Sequence, residues 1–127
     1  MSDVSELVTS AFAQTLGCRF LEVAEGKARV ALSQAPHLAN RGGHMHGGAV
    51  FSLVDTAMGM ACSSAHGFDR QSVTIECKIN YIRSVSEGEV ICEAQVIHAG
   101  RRTLVVEAKV SQHEKLIATA QGTFALL

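Results

Sequence analysis

The chain has 127 residues, of which 47% are hydrophobic and 18% charged, and its formal net charge is -1 at pH 7. This length predicts one domain with a single core, and the hydrophobic content excludes a disordered chain. The near-neutral charge excludes the broad positive surface that marks nucleic-acid binding. No apolar run approaches the roughly 18 residues of a membrane-spanning helix, and the N-terminus lacks a basic start followed by an apolar stretch. We therefore expect a soluble, cytoplasmic protein without nucleic-acid or membrane partners.

The first predicted element is a short amphipathic helix over residues 3–15. Ser2 or Asp3 is available as its N-cap, and Gly17 lies beyond its end as a stop signal. Its apolar residues recur at helical spacing and are Val4, Leu7, Val8, Ala11 and Phe12.

Two strands and a loop come next. Residues 18–24 and 27–32 alternate between apolar and polar side chains on either side of Glu25 and Gly26, which predicts a hairpin. Residues 33–45 contain the chain's single proline and two adjacent glycines, a composition typical of a loop.

A helix follows, and the stretch that leads into it carries most of the information about function. From Asn40 to Asp55 the chain reads Asn-Arg-Gly-Gly-His-Met-His-Gly-Gly-Ala-Val-Phe-Ser-Leu-Val-Asp. After the second glycine pair, apolar residues occupy nearly every side of the helix, as in a buried helix. An unpaired buried carboxylate is costly, so we expect Asp55 to have a partner or a chemical task. The few polar or small residues form one narrow stripe: Ser52, Asp55, Thr56, Gly59 and Ser63.

Four strands are predicted after this helix, over residues 73–81, 89–98, 103–112 and 116–126. We expect them to form an antiparallel meander, and the whole chain to adopt an α+β fold in which an antiparallel sheet wraps around one long central helix. The helix has more apolar surface than one sheet covers, which predicts a second subunit related by a two-fold axis. In the first of these strands, alternation places five residues on one face: Val73, Ile75, Cys77, Ile79 and Tyr81.

The chain has four widely separated cysteines and no Cys-x-x-Cys pair: Cys18, Cys62, Cys77 and Cys92. This pattern predicts buried, reduced thiols. A metal site needs several ligands gathered together, and His44 and His46 are the only close pair of potential ligands. We therefore expect no metal and no other cofactor.

The spacing of Asn40, the triplet His46-Gly47-Gly48 and Asp55 resembles the signature of the hotdog-fold acyl-CoA thioesterases of the phenylacetic-acid-pathway (PaaI-like) type. The similarity extends over essentially the whole chain after the first helix, so we expect a single hotdog domain over residues 1–127. The run Asn80-Tyr81-Ile82-Arg83 is similar to that family's Tyr-containing strand, although the proline that usually follows is absent here.

The resemblance implies hydrolysis of an aryl- or medium-chain acyl-CoA, with Asp55 as the nucleophile or as the base that activates water. It implies that the backbone N–H of Gly47 binds the thioester carbonyl, while Asn40 and His46 position the carbonyl or the water. The start of a helix suits an oxyanion because its N–H groups are unpaired and the dipole is positive there.

Five further residues are candidates for assisting catalysis or binding substrate. Thr74 aligns with a hydroxyl residue of some relatives, although strict alternation turns it to the opposite face from Val73 and Ile75. Gly48 shares the helix start with Gly47, where glycine lets a ligand approach the backbone closely. In the turn between two later strands, Arg101 and Arg102 are candidates for binding the CoA phosphates, as is Arg83 more weakly, although surface arginines also occur in ordinary turns.

Gly47 and Asp55 are eight residues apart, which is roughly 12 Å along a helix axis at about 1.5 Å per residue. One thioester carbonyl cannot contact both, because reacting atoms must lie about 3 Å apart. Two antiparallel helices across a two-fold axis would bring Gly47 of one chain to Asp55 of the other. We therefore expect a homo-oligomer, either a dimer or a dimer of dimers.

Two other functions stay open. A hotdog hydratase or dehydratase uses an acid/base pair, whereas Asn40 does not exchange protons near neutral pH, which favours hydrolysis. A non-catalytic module that binds acyl-CoA or an acyl carrier would keep the fold without turnover. Structural roles also stay open: close packing for Gly47 and Gly48, and a backbone hydrogen bond for Asp55.

Overall fold

The computed structural model describes residues 10–127, and it confirms the predicted α+β hotdog architecture of a six-stranded antiparallel sheet packed against one long helix, with a short helix before it. In chain order the elements are α1 Ala11–Leu16, β1 Arg19–Ala24, β2 Lys27–Ser33, a 3-10 helix Pro36–Leu38, α2 Gly47–His66, β3 Ser72–Tyr81, β4 Glu89–Ala99, β5 Thr103–Gln112 and β6 Lys115–Leu126. No helix within these residues combines the length and the apolarity needed to span a membrane.

Helix α1 is shorter than the helix predicted over residues 3–15. Ser10 has an extended backbone, and its hydroxyl accepts a hydrogen bond from the Ala13 N–H at 3.0 Å, so it caps a helix that begins at Ala11. The prediction of one continuous helix is therefore wrong at Ser10. Its end is confirmed, because Gly17 takes a left-handed conformation with φ 92°. The proposed caps at residues 2 and 3 lie outside the described residues.

Strands β1 and β2 form the predicted hairpin. Glu25 and Gly26 both have positive φ, 53° and 78°, as the two central residues of a tight turn that matches the twist of the strands. The predicted loop over residues 33–45 is also confirmed, except that Ser33 still belongs to β2, and the loop contains a 3-10 turn at Pro36–Leu38.

The order of strands in the sheet is β1-β2-β4-β5-β6-β3. The predicted meander therefore holds for β4, β5 and β6 and is wrong for β3, which pairs with β6. The edge of β4 that a meander would give to β3 is already occupied by β2. As a result β3 is an edge strand, and within residues 10–127 no other strand pairs with its outer side.

Strand β3 contains a β-bulge at Ile75. Thr74 pairs with Phe124 and Glu76 pairs with Thr123, so Ile75 has no residue opposite it on β6. An extra residue of this kind breaks the two-residue alternation of side chains along a strand.

The bulge changes which side chains of β3 face α2. Cys77 and Ile79 pack against the core. Thr74, on the other side of the bulge, is exposed but donates a hydrogen bond to Asp55 on α2. Val73 and Ile75 are instead 45% and 57% exposed. The prediction that all five apolar residues of β3 share one face is therefore wrong.

Helix α2 buries one side against the sheet. The stripe of polar or small residues is half-buried, as are Phe51 and Met60 beside it. The sheet of one chain therefore leaves part of the helix uncovered, as its apolar surface predicts. The buried residues of α2 are Ala49, Val50, Leu53, Val54, Ala57, Met58, Ala61 and Cys62.

All four cysteines are free thiols, as predicted. Cys62 and Cys92 are buried, and this burial raises the pKa of each thiol to about 12. Cys18 and Cys77 are only half-buried, so the prediction of burial is wrong for these two.

Candidate active site

Asp55 lies in the middle of α2, and its carboxylate faces β3. Thr74 Oγ1 donates a hydrogen bond to Asp55 Oδ1 at 2.7 Å. Asp55 is half-buried and Thr74 is exposed, and Asp55 Oδ2 accepts no hydrogen bond from any residue between 10 and 127. The expected partner of Asp55 is thus present, and one carboxylate oxygen is left for a ligand.

The contact with Thr74 corrects the reasoning from alternation. Alternation does turn Thr74 away from Val73. Because Val73 is the residue exposed on the outer side of the sheet, Thr74 lies on the inner side, which faces α2. Asp55 also affects its surroundings electrostatically. Burial raises the pKa of the Cys77 thiol, and the negative charges of Asp55 and Glu76 raise it further.

The Asp55–Thr74 pair lies in a groove of about 440 Å³ between α2, α1 and the sheet. Three aromatic rings contribute to its walls, from Phe12 on α1, Phe20 on β1 and Phe124 on β6. The groove therefore combines an ionisable group with apolar surface, as small-molecule sites commonly do.

A second group of candidate residues surrounds the start of α2. His46 is the N-cap, and its Nδ1 accepts a hydrogen bond from the Gly48 N–H at 2.7 Å. An imidazole that accepts at Nδ1 carries its proton on Nε2, so the exposed side of His46 is a hydrogen-bond donor. The Gly48 N–H is occupied by this cap, whereas no described residue accepts a hydrogen bond from the Gly47 N–H.

Tyr81 holds the first turn of α2 from β3. Its hydroxyl donates to the Gly47 carbonyl oxygen at 2.9 Å, and burial raises the pKa of this phenol, which keeps it a donor. A Cβ at Gly47 would lie 3.4 Å from Tyr81 Cζ, tighter than most such contacts. The sequence placed Tyr81 in a family motif but gave no signal that it contacts a residue 34 positions away.

Asn40 shapes the loop that leads to His46. Its Oδ1 accepts hydrogen bonds from the N–H groups of Gly42 at 2.9 Å and His44 at 3.1 Å. The side-chain oxygen is therefore committed to the loop backbone, and Asn40 can offer a ligand only its amide N–H donors.

The three arginines predicted to bind CoA, Arg83, Arg101 and Arg102, lie at opposite ends of the sheet. Arg101 and Arg102 are exposed in the turn between β4 and β5, where the Arg102 carbonyl accepts from the Leu126 N–H at 2.8 Å. Leu126 pairs with Ser72, so this turn lies at the end of the sheet where β3 begins. Arg83 lies at the other end, beside Tyr81 and Gly47 in a groove of about 270 Å³.

A single chain thus contains two separate groups of predicted site residues. Asp55 and Thr74 form one, whereas His46, Gly47 and Gly48 form the other, with Asn40 in the preceding loop. Over the described part of the chain, no three His, Cys, Asp or Glu side chains are close enough together to hold a metal ion.

Comparison with known proteins agrees with this fold. The thioesterase superfamily model matches residues 42–118. The acyl-coenzyme A thioesterase PaaI of Escherichia coli is 33% identical over 114 residues, which cover 88% of this chain and 79% of that protein.

Two solved structures extend the comparison. A conserved protein from Pseudomonas aeruginosa superposes with a TM-score of 0.93 at 62% identity, covering 94% of this chain and 95% of that one. The PaaI protein from the phenylacetic acid degradation operon of Escherichia coli superposes with a TM-score of 0.87 at 31% identity, covering 93% and 85%.

The sheet wrapped around one helix, together with the family model and these relatives, identifies a hotdog-fold thioester hydrolase. The chain belongs to the thioesterase superfamily, and within it to the PaaI-like enzymes. The resemblance in the sequence is thereby confirmed.

Proposed function

We propose that the protein hydrolyses an aryl- or medium-chain acyl-CoA to the free acid and CoA, in sites that two subunits share. Asp55 of one subunit and the Gly47 N–H of the other act on the same thioester. The observation that carries the proposal is the position of both groups on one helix, roughly 12 Å apart along its axis, with Asp55 Oδ2 and the Gly47 N–H each unpaired within residues 10–127.

The edge strand β3 supports a shared site. Thr74 near one end of β3 contacts Asp55, and Tyr81 at the other end contacts Gly47. If two copies of β3 pair antiparallel through their open edges, about an axis near residues 77 and 78, Thr74 of one chain comes opposite Tyr81 of the other. Each Asp55 then faces a Gly47 from the second subunit, twice per dimer. Exposed apolar side chains near this edge, including Tyr81 at 52% and Ile82 at 48%, favour such an interface. A dimer of dimers is compatible with this pairing.

The chemistry follows from the two groups. The thioester carbonyl oxygen accepts a hydrogen bond from the Gly47 N–H at the positive end of the α2 dipole, and this donor stabilises the negative charge that develops there. The Nε2–H of His46 and the amide of Asn40 supply further donors near the same helix start. Gly48 contributes by keeping that approach free of a side chain.

Asp55 Oδ2 either attacks the acyl carbon or removes a proton from the attacking water, while Thr74 fixes Oδ1. The C–S bond then breaks and CoA leaves as its thiol. If Asp55 attacks directly, water afterwards cleaves the acyl-enzyme anhydride and restores the carboxylate. Both routes consume one water and yield one acid and one thiol.

The arginines provide cations for the phosphates of CoA. Arg101 and Arg102 lie at the end of the sheet where β3 begins, which is also the end nearer Thr74. The two-fold axis brings Arg83 of the second subunit to that same end. Charge-assisted hydrogen bonds from these guanidinium groups would hold the nucleotide part of the substrate outside the groove.

Free thiol release tests the assignment of Asp55. The substrates are phenylacetyl-CoA, hydroxybenzoyl-CoA, and short and medium fatty acyl-CoAs, each with wild type and Asp55→Asn. We expect Asp55→Asn to lower kcat by about three orders of magnitude, as the loss of a nucleophile or base does. Asp69→Asn, which changes an exposed aspartate beyond the end of α2, is the matched control and should retain full activity. Unchanged turnover in Asp55→Asn would remove the catalytic assignment, and binding without turnover in wild type would identify a binding module instead.

Mixing two inactive variants tests whether the site is shared. Gly47→Pro removes the N–H and adds a ring whose Cβ would lie 3.4 Å from Tyr81 Cζ. The helix itself should tolerate the change, because proline is accepted at the first position of a helix and His46 already has an extended backbone. Subunits of Gly47→Pro and Asp55→Asn, unfolded and refolded together, should recover about a quarter of wild-type activity, since half of the random dimers are mixed and each has one intact site. No recovery, with mixed dimers demonstrated by mass spectrometry, would contradict a site that spans two subunits.

A further inference from the structure

Gly59 lies on the half-buried stripe of α2, one helical turn beyond Asp55, and it forms part of the floor of the groove that holds the Asp55–Thr74 pair. Residues four apart lie on the same face of a helix, about 6 Å from each other along the axis. A ligand that reaches Asp55 and continues along α2 must therefore pass over Gly59.

Packing within one chain does not require a glycine here. A Cβ added at Gly59 would meet one neighbouring atom, Phe124 Cε2 at 3.8 Å, which is an ordinary van der Waals contact. The backbone of Gly59 does not have the positive φ that favours glycine. Glycine in a helix interior is nevertheless less favourable than any residue except proline. The absence of a side chain therefore has a structural cost, and what it provides is open space above the helix.

The groove extends from Asp55 in one direction only. Its lining residues on α2 lie between Asp55 and Ser63, and none of them precedes Asp55. An acyl group whose carbonyl carbon lies beside Asp55 extends toward the C-terminal end of α2, over Gly59 and between the rings of Phe20 and Phe124. The start of α2, which offers its N–H groups to the carbonyl oxygen, comes from the second subunit and leaves this path clear.

We propose that Gly59 determines the size of the acyl group that the enzyme accepts. The inference rests on the proposed function and specifies its substrate class: acyl groups that place a ring or several carbons about one helical turn from the thioester carbonyl. Such groups occupy the space above Gly59, where they contact Phe124. An acetyl group ends before Gly59 and is insensitive to the residue at that position.

Substitutions that fill this space test the inference. Thiol release is measured with acetyl-CoA, hexanoyl-CoA and phenylacetyl-CoA for wild type, Gly59→Ala and Gly59→Leu. We expect Gly59→Leu to lower kcat/KM for the hexanoyl and phenylacetyl substrates on the order of tens-fold, while acetyl-CoA changes less than about threefold, because one misplaced methylene in such a pocket already changes kcat/KM about 10- to 200-fold. Gly59→Ala should shift the same ratio in the same direction by a smaller factor.

Ala65→Leu is the matched control. It adds the same side chain to an exposed position of α2 that does not line the groove. It should leave all three substrates unchanged. Size-exclusion chromatography and thermal unfolding establish that each variant keeps its assembly and fold.

Three results would overturn the inference. The first is an equal fall for all three substrates in a folded Gly59→Leu, and the second is a selectivity ratio that Ala65→Leu changes as strongly. The third is dissociation of the oligomer by Gly59→Ala, which would assign the glycine to a helix–helix contact. If Gly59→Leu does not fold, the acetyl-to-hexanoyl ratio in Gly59→Ala decides. Loss of the proposed function itself gives a different result, namely a wild type that releases no thiol or an Asp55→Asn that is fully active.

Discussion

Replacing Thr74 with valine removes one hydrogen bond to Asp55 while keeping the shape of the side chain. Thr74 Oγ1 donates to Asp55 Oδ1 at 2.7 Å, and the acceptor is a carboxylate. Such bonds contribute about 1.5–3 kcal/mol, and 1.36 kcal/mol corresponds to a tenfold change in rate. Thr74 is exposed in a single chain, so water competes for the carboxylate and the lower part of this range applies. We expect kcat to fall about 10- to 30-fold with KM little changed, because the bond orients the reacting group rather than the substrate.

Steady-state thiol release with the best acyl-CoA of the panel measures this effect. Thr74→Ser keeps the hydroxyl and should restore most of kcat. The chain also offers a matched control, because Thr123 Oγ1 donates to Glu76 Oε2 at the same distance of 2.7 Å. Thr123→Val removes an equally short bond outside the groove and should leave kcat unchanged. The reasoning fails if Thr74→Val keeps kcat within about twofold of wild type, or if Thr123→Val lowers it as much.

Three further predictions concern other parts of the molecule. Tyr81→Phe removes the 2.9 Å hydrogen bond to the Gly47 carbonyl, so kcat should fall about three- to tenfold while the circular dichroism spectrum stays unchanged. An unaffected kcat would show that this bond does not help to position the start of α2. Changing both Arg101 and Arg102 to Gln should raise KM for acyl-CoA about three- to tenfold but not for the acyl-pantetheine that lacks the nucleotide phosphates, and equal effects on both substrates would contradict phosphate binding. Burial raises the pKa of Cys92 to about 12 from 9.0, so the folded state holds the thiol proton more tightly than the unfolded chain does. The stability that comes from this protonated thiol is complete below pH 9 and is lost toward pH 12. Urea unfolding across this interval should show a decline of about 1.4 kcal/mol per pH unit for each such thiol, and Cys92→Ala should reduce that slope.

Local patterns in the sequence were sufficient to predict the elements and the stripe that carries Asp55. Helical spacing and strand alternation depend on neighbouring residues, and so does the turn at Glu25 and Gly26, which adopts the positive φ values that a tight hairpin requires. The family signature likewise lies within one segment, from Asn40 to Asp55. Apart from the start of α1, which lies at Ala11, these features are correct in the structure to within a few residues.

Contacts between distant segments could not be predicted in the same way. Alternation in β3 gives no information about which strand pairs with it, and a strand with a bulge has the same apolar pattern as one without. The direction of Thr74 therefore depends on an extra residue that no local signal reveals. The contact of Tyr81 with Gly47 depends in turn on the edge position of β3 beside the start of α2.

The bulge at Ile75 also affects how this enzyme is compared with its homologues. Removing Ile75 would leave Thr74 opposite Phe124 and Glu76 opposite Thr123, since these two pairs are already adjacent on β6. A homologue one residue shorter here would therefore superpose its hydroxyl on that of Thr74, and an alignment gap at this position carries no information about loss of activity. A gapless alignment anchored on the residues after the bulge would instead match that hydroxyl with Ile75, and would report a missing side chain where none is missing.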